Sequence, residues 1–143
     1  MLFFNPLKYL KSLTGLLADS PQLALRRFDR YRDQLQADFF TIASRSGKPR
    51  DLRWLKCEWQ EERRLVRETE SKLTTLLVGV SISFEAVEGG DMEEVEAVSD
   101  VRSASAVFHY RDGRWGTGGR VLFNLTPDAA VQRLTDAFTP LDQ

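Results

Sequence analysis

A chain of 143 residues fits one domain that buries roughly 70% of the surface its unfolded form exposes, and its 42% apolar and 29% charged content is that of a globular protein. One cysteine, Cys57, excludes an internal disulfide and fits a reducing compartment. The net charge of -1 conceals a division: residues 1–72 hold 15 Lys/Arg against 10 Asp/Glu, net +5, and residues 73–143 hold 5 against 11, net -6. Such a polarity can orient a partner or a second copy, or folding can remove it by packing a basic helix beside acidic strands.

The opening run, MLFFNPLKYLKSLTGLLADS, lacks the continuous apolar stretch of a secretory signal because Asn5-Pro6, Lys8 and Lys11 interrupt it. No stretch reaches the ~18 uninterrupted apolar residues of a membrane span, so the expected location is cytoplasmic. Asn5-Pro6 supplies an N-cap and a proline at the first helical position. Leu7, Leu10, Leu13 and Leu17 then recur at helical spacing, predicting an amphipathic leader helix over residues 1–18. With Phe3 and Phe4 they form an apolar row of the kind that marks an interface. Ser20-Pro21 repeats the start signal. Ala24, Phe28, Tyr31, Leu35, Phe39 and Ile42 make one stripe opposite Arg26, Arg27, Asp29, Arg30, Arg32 and Asp33, predicting a main helix over 20–45. Gly47 and Pro49 end it.

Beyond Pro49 the apolar period becomes two. Residues 52–59 alternate, and 63–68 reads as a short strand returning alongside. Residues 72–87 form a long strand with Leu76, Val78, Val80, Ile82, Phe84 and Ala86 on one face and Gly79, Ser81, Ser83 and Glu85 on the other. Residues 101–110 give the next strand. Asp112-Gly113 is a strong hairpin signal, and 114–125 reads as the last strand, where Gly118-Gly119 allow a bulge or sharp bend. Thr126-Pro127-Asp128 opens a C-terminal helix over 127–138, with Val131, Leu134, Phe138 and Leu141 inward.

The expected architecture is a single α+β domain over 1–143, with N-terminal helices packed on a curved antiparallel sheet of about four or five strands spanning 50–125, and a short C-terminal helix. Over roughly residues 20–125 this element order resembles the cystatin-type cone shared by nuclear transport factor 2-like proteins. It departs from the fuller cone, which places an additional helix between the first strands. The resemblance implies a helix laid on a curved sheet. Members of that fold include enzymes, ligand binders and interaction modules, so the likeness leaves function open.

The most unusual stretch, EAVEGGDMEEVEAVSD over 85–100, carries seven carboxylates and no base. It fails the calcium-loop pattern because Gly89-Gly90 precede Asp91 and Glu93, and no histidine or cysteine is near to suggest zinc. It reads as a solvated connection between strands or as a surface for a basic partner. GRWGTGGR over 113–120 has the glycine spacing of a phosphate loop but Gly119-Arg120 where Lys-Ser/Thr is required, and a strand follows it. His109, the only histidine, could act as a general base beside Ser103 and Ser105 on its strand face, although no carboxylate is placed by the sequence to orient it. Cys57 reads as a small apolar residue. Lys48, Arg50, Arg53 and Lys56 interleave with Trp54 and Trp59, but strict alternation puts the two tryptophans on opposite faces, which splits a base-stacking platform and argues against nucleic acid.

These features point to a non-catalytic interaction or scaffold domain that self-associates, as a homodimer or with an unknown protein partner, and that needs no cofactor or metal. Phe3, Phe4, Leu7, Leu10, Leu13 and Leu17 are its candidate docking surface. The alternatives are a small-molecule enzyme or ligand binder with a cone cavity at His109, Ser103 and Ser105, and peripheral membrane attachment through the leader.

Overall fold

The long apolar-and-small alternation of the sequence becomes β2 (Thr74–Ala86), the middle of an antiparallel sheet. Its neighbours are β1 (Leu52–Glu68) on one side and β3 (Arg102–Arg111) on the other. The computed structural model describes residues 19–87 and 101–142. The leader expected over 1–18, with its docking row, and most of the acidic stretch lie outside the described residues.

Two short strands, β4 (Arg114–Gly116) and β5 (Val121–Phe123), both pair with β3, and β6 (Phe138–Pro140) pairs with the end of β1. The strand order is β4-β3-β2-β1-β6 with β5 beside β3, six strands among the described residues where about four or five were expected. The helices are α1 (Pro21–Arg30), α2 (Arg32–Ser44) and α3 (Pro127–Arg133). No helix among the described residues is long and apolar enough to cross a membrane.

Several boundaries differ from the sequence reading, each for a local reason. Residues 52–68 form one continuous strand of 17 residues and not a strand with a return. Its register against β2 slips between Trp54 and Lys56 and again between Trp59 and Arg63. These bulges absorb the breaks in alternation that resemble a turn in the sequence. At the second slip the chain folds over Gly79, where an added Cβ would lie 3.2 Å from Gln60 Cβ and 3.3 Å from the Glu62 carbonyl oxygen. The first slip also moves Trp59 to the face that Trp54 occupies, so both tryptophans meet Phe39, at 6.1 Å and 5.4 Å between ring centroids. The base-stacking platform is still not formed, because Trp54 is buried in the core.

The expected last strand divides into β4 and β5 because Gly119 has φ +77 and turns the chain against α2. The C-terminal helix stops at Arg133, and Phe138 is a buried strand residue and not the inner face of that helix. The main helix is interrupted at Tyr31 (φ -111, ψ 18), which ends α1 and opens α2. Phe28, Leu35, Phe39 and Ala43 remain buried across the break, while Tyr31 and Ile42 leave the stripe and are exposed. The break lets both helices follow the curved sheet.

Both faces of the sheet are used. Toward α1 and α2, Phe28, Phe39, Trp54, Phe84 and Phe108 join Leu76, Val78, Val80 and Ile82 in the main core. On the opposite face, Ala130 and Val131 of α3 and Phe138 of β6 join Leu77, Val107 and Leu122 in a second core. Ser20 and Thr126 cap α1 and α3, accepting hydrogen bonds from the Leu23 and Ala129 amides.

Candidate interaction site

The residues expected to make a site around His109 are not brought together. Strand geometry places Ser105 about 13 Å and Ser103 about 20 Å from His109 along β3. Ser105 is buried and its hydroxyl donates to the Leu125 carbonyl at 2.8 Å, while Ser103 is exposed beside a polar groove at the far end of the strand. His109 does have an orienting carboxylate, contrary to the sequence reading: its Nε2 lies 3.3 Å from Glu68 Oε2. Arg120 Nη1 donates to the same oxygen at 3.1 Å. Burial pushes the Glu68 carboxyl up, but hydrogen bonds from Ser71 and His109 and the charge of Arg120 outweigh it and hold the group below its ordinary range. Glu68 is thus a satisfied anion that ties the end of β1 to β3. Its partner was hidden in the sequence because it sits two strands away, joined through the pairings of Val66 with Thr75 and Thr75 with His109.

Cys57 is half-buried, and burial pushes its thiol up to about 12, which leaves it unreactive at neutral pH. Among the described residues no group of three or more His, Cys, Asp or Glu side chains is placed to hold a metal ion.

A different constellation forms where the α1–α2 junction meets the β3–β4 turn. Arg27, Arg30, Tyr31, Leu35, Gly113, Arg114 and Trp115 line a cleft of about 460 Å³. Among its lining residues is Trp115, whose indole N–H donates to the Ala24 carbonyl at 2.8 Å and whose ring packs edge-on to Phe28 at 5.5 Å. Arg27 clamps the turn to the helix: its Nη1 donates to the Tyr110 hydroxyl at 2.6 Å, to Asp19 Oδ2 at 2.9 Å and to the Gly113 carbonyl at 3.3 Å. Tyr110 in turn donates to Asp19. Burial raises the Tyr110 phenol, so this hydroxyl stays protonated and the clamp intact at neutral pH.

With Arg27 neutralised by Asp19, the cationic character of the cleft comes from Arg30 and Arg114, neither of which forms a salt bridge with a described residue. The Arg30 guanidinium sits 5.5 Å from the centroid of the Tyr31 ring, a cation–π pair. Tyr31 is 56% exposed, the largest aromatic surface the helices present among the described residues. Arginine, tyrosine and tryptophan are the residues most enriched where interfaces concentrate their binding energy. Here they surround a concave surface with cationic walls, an arrangement that can hold a carboxylate by arginine and an apolar side chain by the rings.

None of these residues stood out as a site in the sequence. Tyr31 read as part of the apolar stripe and Trp115 as part of a glycine-rich strand, and more than 80 residues separate the two halves. The available signals were indirect: a hairpin turn flanked by Arg111 and Arg114, and an aromatic amid six charged residues of the helix. No protein-family model matches the chain, and no curated protein or solved structure is significantly similar to it.

Proposed function

We propose that the protein is a cytoplasmic, non-catalytic interaction domain that takes a carboxylate-rich segment of a protein partner in the cleft between the α1–α2 junction and the β3–β4 turn. The observation that carries this reading is the exposed Tyr31–Arg30 pair beside Trp115, held in a preformed cleft by the Arg27 clamp. The rings of Phe28, Phe39, Trp54, Trp59 and Phe108 pack against one another between helices and sheet, and the exposed aromatic surface lies outside that cluster, at Tyr31.

The test is binding of a fluorescein-labelled oligoglutamate peptide of about a dozen residues, read by anisotropy at low salt. Replacing Arg30 and Arg114 together by alanine should weaken binding about tenfold or more, equivalent to about 1.4 kcal/mol, and reduce its salt dependence. Tyr31→Ala should weaken it without changing the salt dependence. If neither the parent protein nor a variant with Glu93, Glu94 and Glu96 replaced by glutamine binds, or if the Arg30 and Arg114 replacements leave binding unchanged, the reading is wrong.

A further inference from the structure

We infer that the acidic segment this cleft takes is the chain's own residues 88–100, supplied by a second copy, so that the protein is a reciprocal homodimer. The inference rests on the proposed function and names its partner. Residues 88–100 carry six carboxylates, at Glu88, Asp91, Glu93, Glu94, Glu96 and Asp100, and no basic residue. They are the most concentrated negative charge in the chain, and the cleft presents Arg30 and Arg114, the two arginines of its lining that form no salt bridge with a described residue. Met92, Val95, Ala97 and Val98 within the same segment offer apolar side chains for Tyr31 and Trp115.

Chain length decides between one copy and two. The segment leaves from Val87, just past the end of β2, and re-enters at Val101, just before β3. The cleft lies at the other end of β3, beyond its ten residues, a distance of about 30 Å. Val87 is farther still, because Arg102 pairs with Ile82 and β2 continues past that point to Ala86. A path from Val87 to the cleft and back to Val101 therefore needs about 70 Å. The chain between those residues spans at most about 50 Å when fully extended. A molecule cannot reach its own cleft.

Two copies can. Placed side by side with their sheets running oppositely, each brings its acidic end to the basic corner of the other, and one twofold axis relates both contacts. The arrangement closes on itself and leaves no segment free to recruit a third copy. It also gives a role to the charge division between the two halves of the sequence.

Sedimentation velocity on the full chain tests this. The parent should sediment as a dimer at low salt, with its dissociation constant rising about tenfold or more as salt screens the contact. Replacing Glu93, Glu94 and Glu96 by glutamine should give a folded monomer, with the parent's circular dichroism spectrum and a melting temperature that no longer depends on protein concentration. A charge exchange separates pairing from misfolding: Arg30→Glu with Arg114→Glu, and Glu93→Lys with Glu94→Lys and Glu96→Lys, should each be monomeric alone and should form a mixed dimer when combined. If the parent is monomeric yet binds oligoglutamate, this inference fails while the proposed function stands. If it is monomeric and binds no acidic peptide, both fail. A dimer that survives the glutamine substitutions also overturns the inference.

Discussion

Replacement of Gly119 by alanine tests the most exacting feature of the fold, the point where the β4–β5 connection presses on α2. Gly119 has φ +77, and an added Cβ would lie 2.8 Å from the Ala43 amide nitrogen, 2.8 Å from Ile42 Cγ2 and 3.1 Å from Ala43 Cα. The left-handed backbone alone costs an L-residue about 1–2 kcal/mol. Forcing a methyl against helix backbone that cannot rotate away adds about 1–3 kcal/mol of overpacking. The expected loss is about 2–5 kcal/mol, which for a chain of this size lowers the melting temperature by about 7–17 °C. Gly118→Ala is the internal control, because nothing lies within 4 Å of its added Cβ and no left-handed φ is involved; it should change stability by less than about 0.5 kcal/mol. Adding Ile42→Ala to Gly119→Ala should recover only part of the loss, since the Ala43 backbone remains in place. Thermal melting by circular dichroism measures all three. If Gly119→Ala melts within about 2 °C of the parent, the close approach of this loop to α2 does not exist.

Phe39→Ala removes a ring with 0% exposure that touches Trp54, Trp59 and Phe108, and should cost about 3–5 kcal/mol in urea unfolding. Glu68 is held below its ordinary range in the folded state, so its contribution is fully present above the unfolded value near 4.3 and is lost as pH falls through the lower folded value. Urea midpoints should accordingly be flat near neutrality and decline below about pH 4, and Glu68→Gln should show a lower midpoint at pH 7 and a shallower acid decline. Cys57, with its thiol pushed up to about 12, should react with a thiol reagent on the order of a thousandfold more slowly in the folded protein than in urea. Labelling at comparable rates in both states would place it in solvent.

The class of fold was legible because its strongest signals are local. The period-two alternation of 74–86, the Asp112-Gly113 turn and the helix starts at Ser20-Pro21 and Thr126-Pro127 each depend on a few neighbouring residues, and each appears where expected. What the sequence did not disclose depends on register. Trp54 and Trp59 share a face only because a bulge between them adds one residue, and alternation counted without that bulge puts them on opposite sides. Gly79 is instructive in the same way. A glycine inside a strand signals a bulge or close approach, but the bulge it serves belongs to the neighbouring strand at Gln60–Glu62, which no inspection of residues around 79 reveals. Phe138 read as helical because its spacing from Val131 and Leu134 suits a helix, and its pairing with Glu68, 70 positions earlier, prevails.

The candidate site is less legible for a related reason, and the same corner of the molecule breaks local rules twice. Tyr31 fits an apolar stripe yet leaves it, and Arg111 and Arg114 stand directly opposite each other across the β3–β4 hairpin. Like charges in that position destabilise a hairpin by about 0.2–1 kcal/mol, and a fold selected for stability alone would not keep them. Such conflicts concentrate where a surface has another task. The consequence is a test with two readouts of opposite sign. Arg114→Thr replaces one of the facing cations with a good strand residue, and should raise the melting temperature by about 1–3 °C. It should at the same time weaken oligoglutamate binding several-fold, because it removes one of the two cationic walls of the cleft. If stability and binding fall together, Arg114 holds the turn in shape and its charge is not presented to a partner. If stability rises and binding is unchanged, the cleft does not use it. A gain in one with a loss in the other is expected only if the hairpin carries that charge for a ligand.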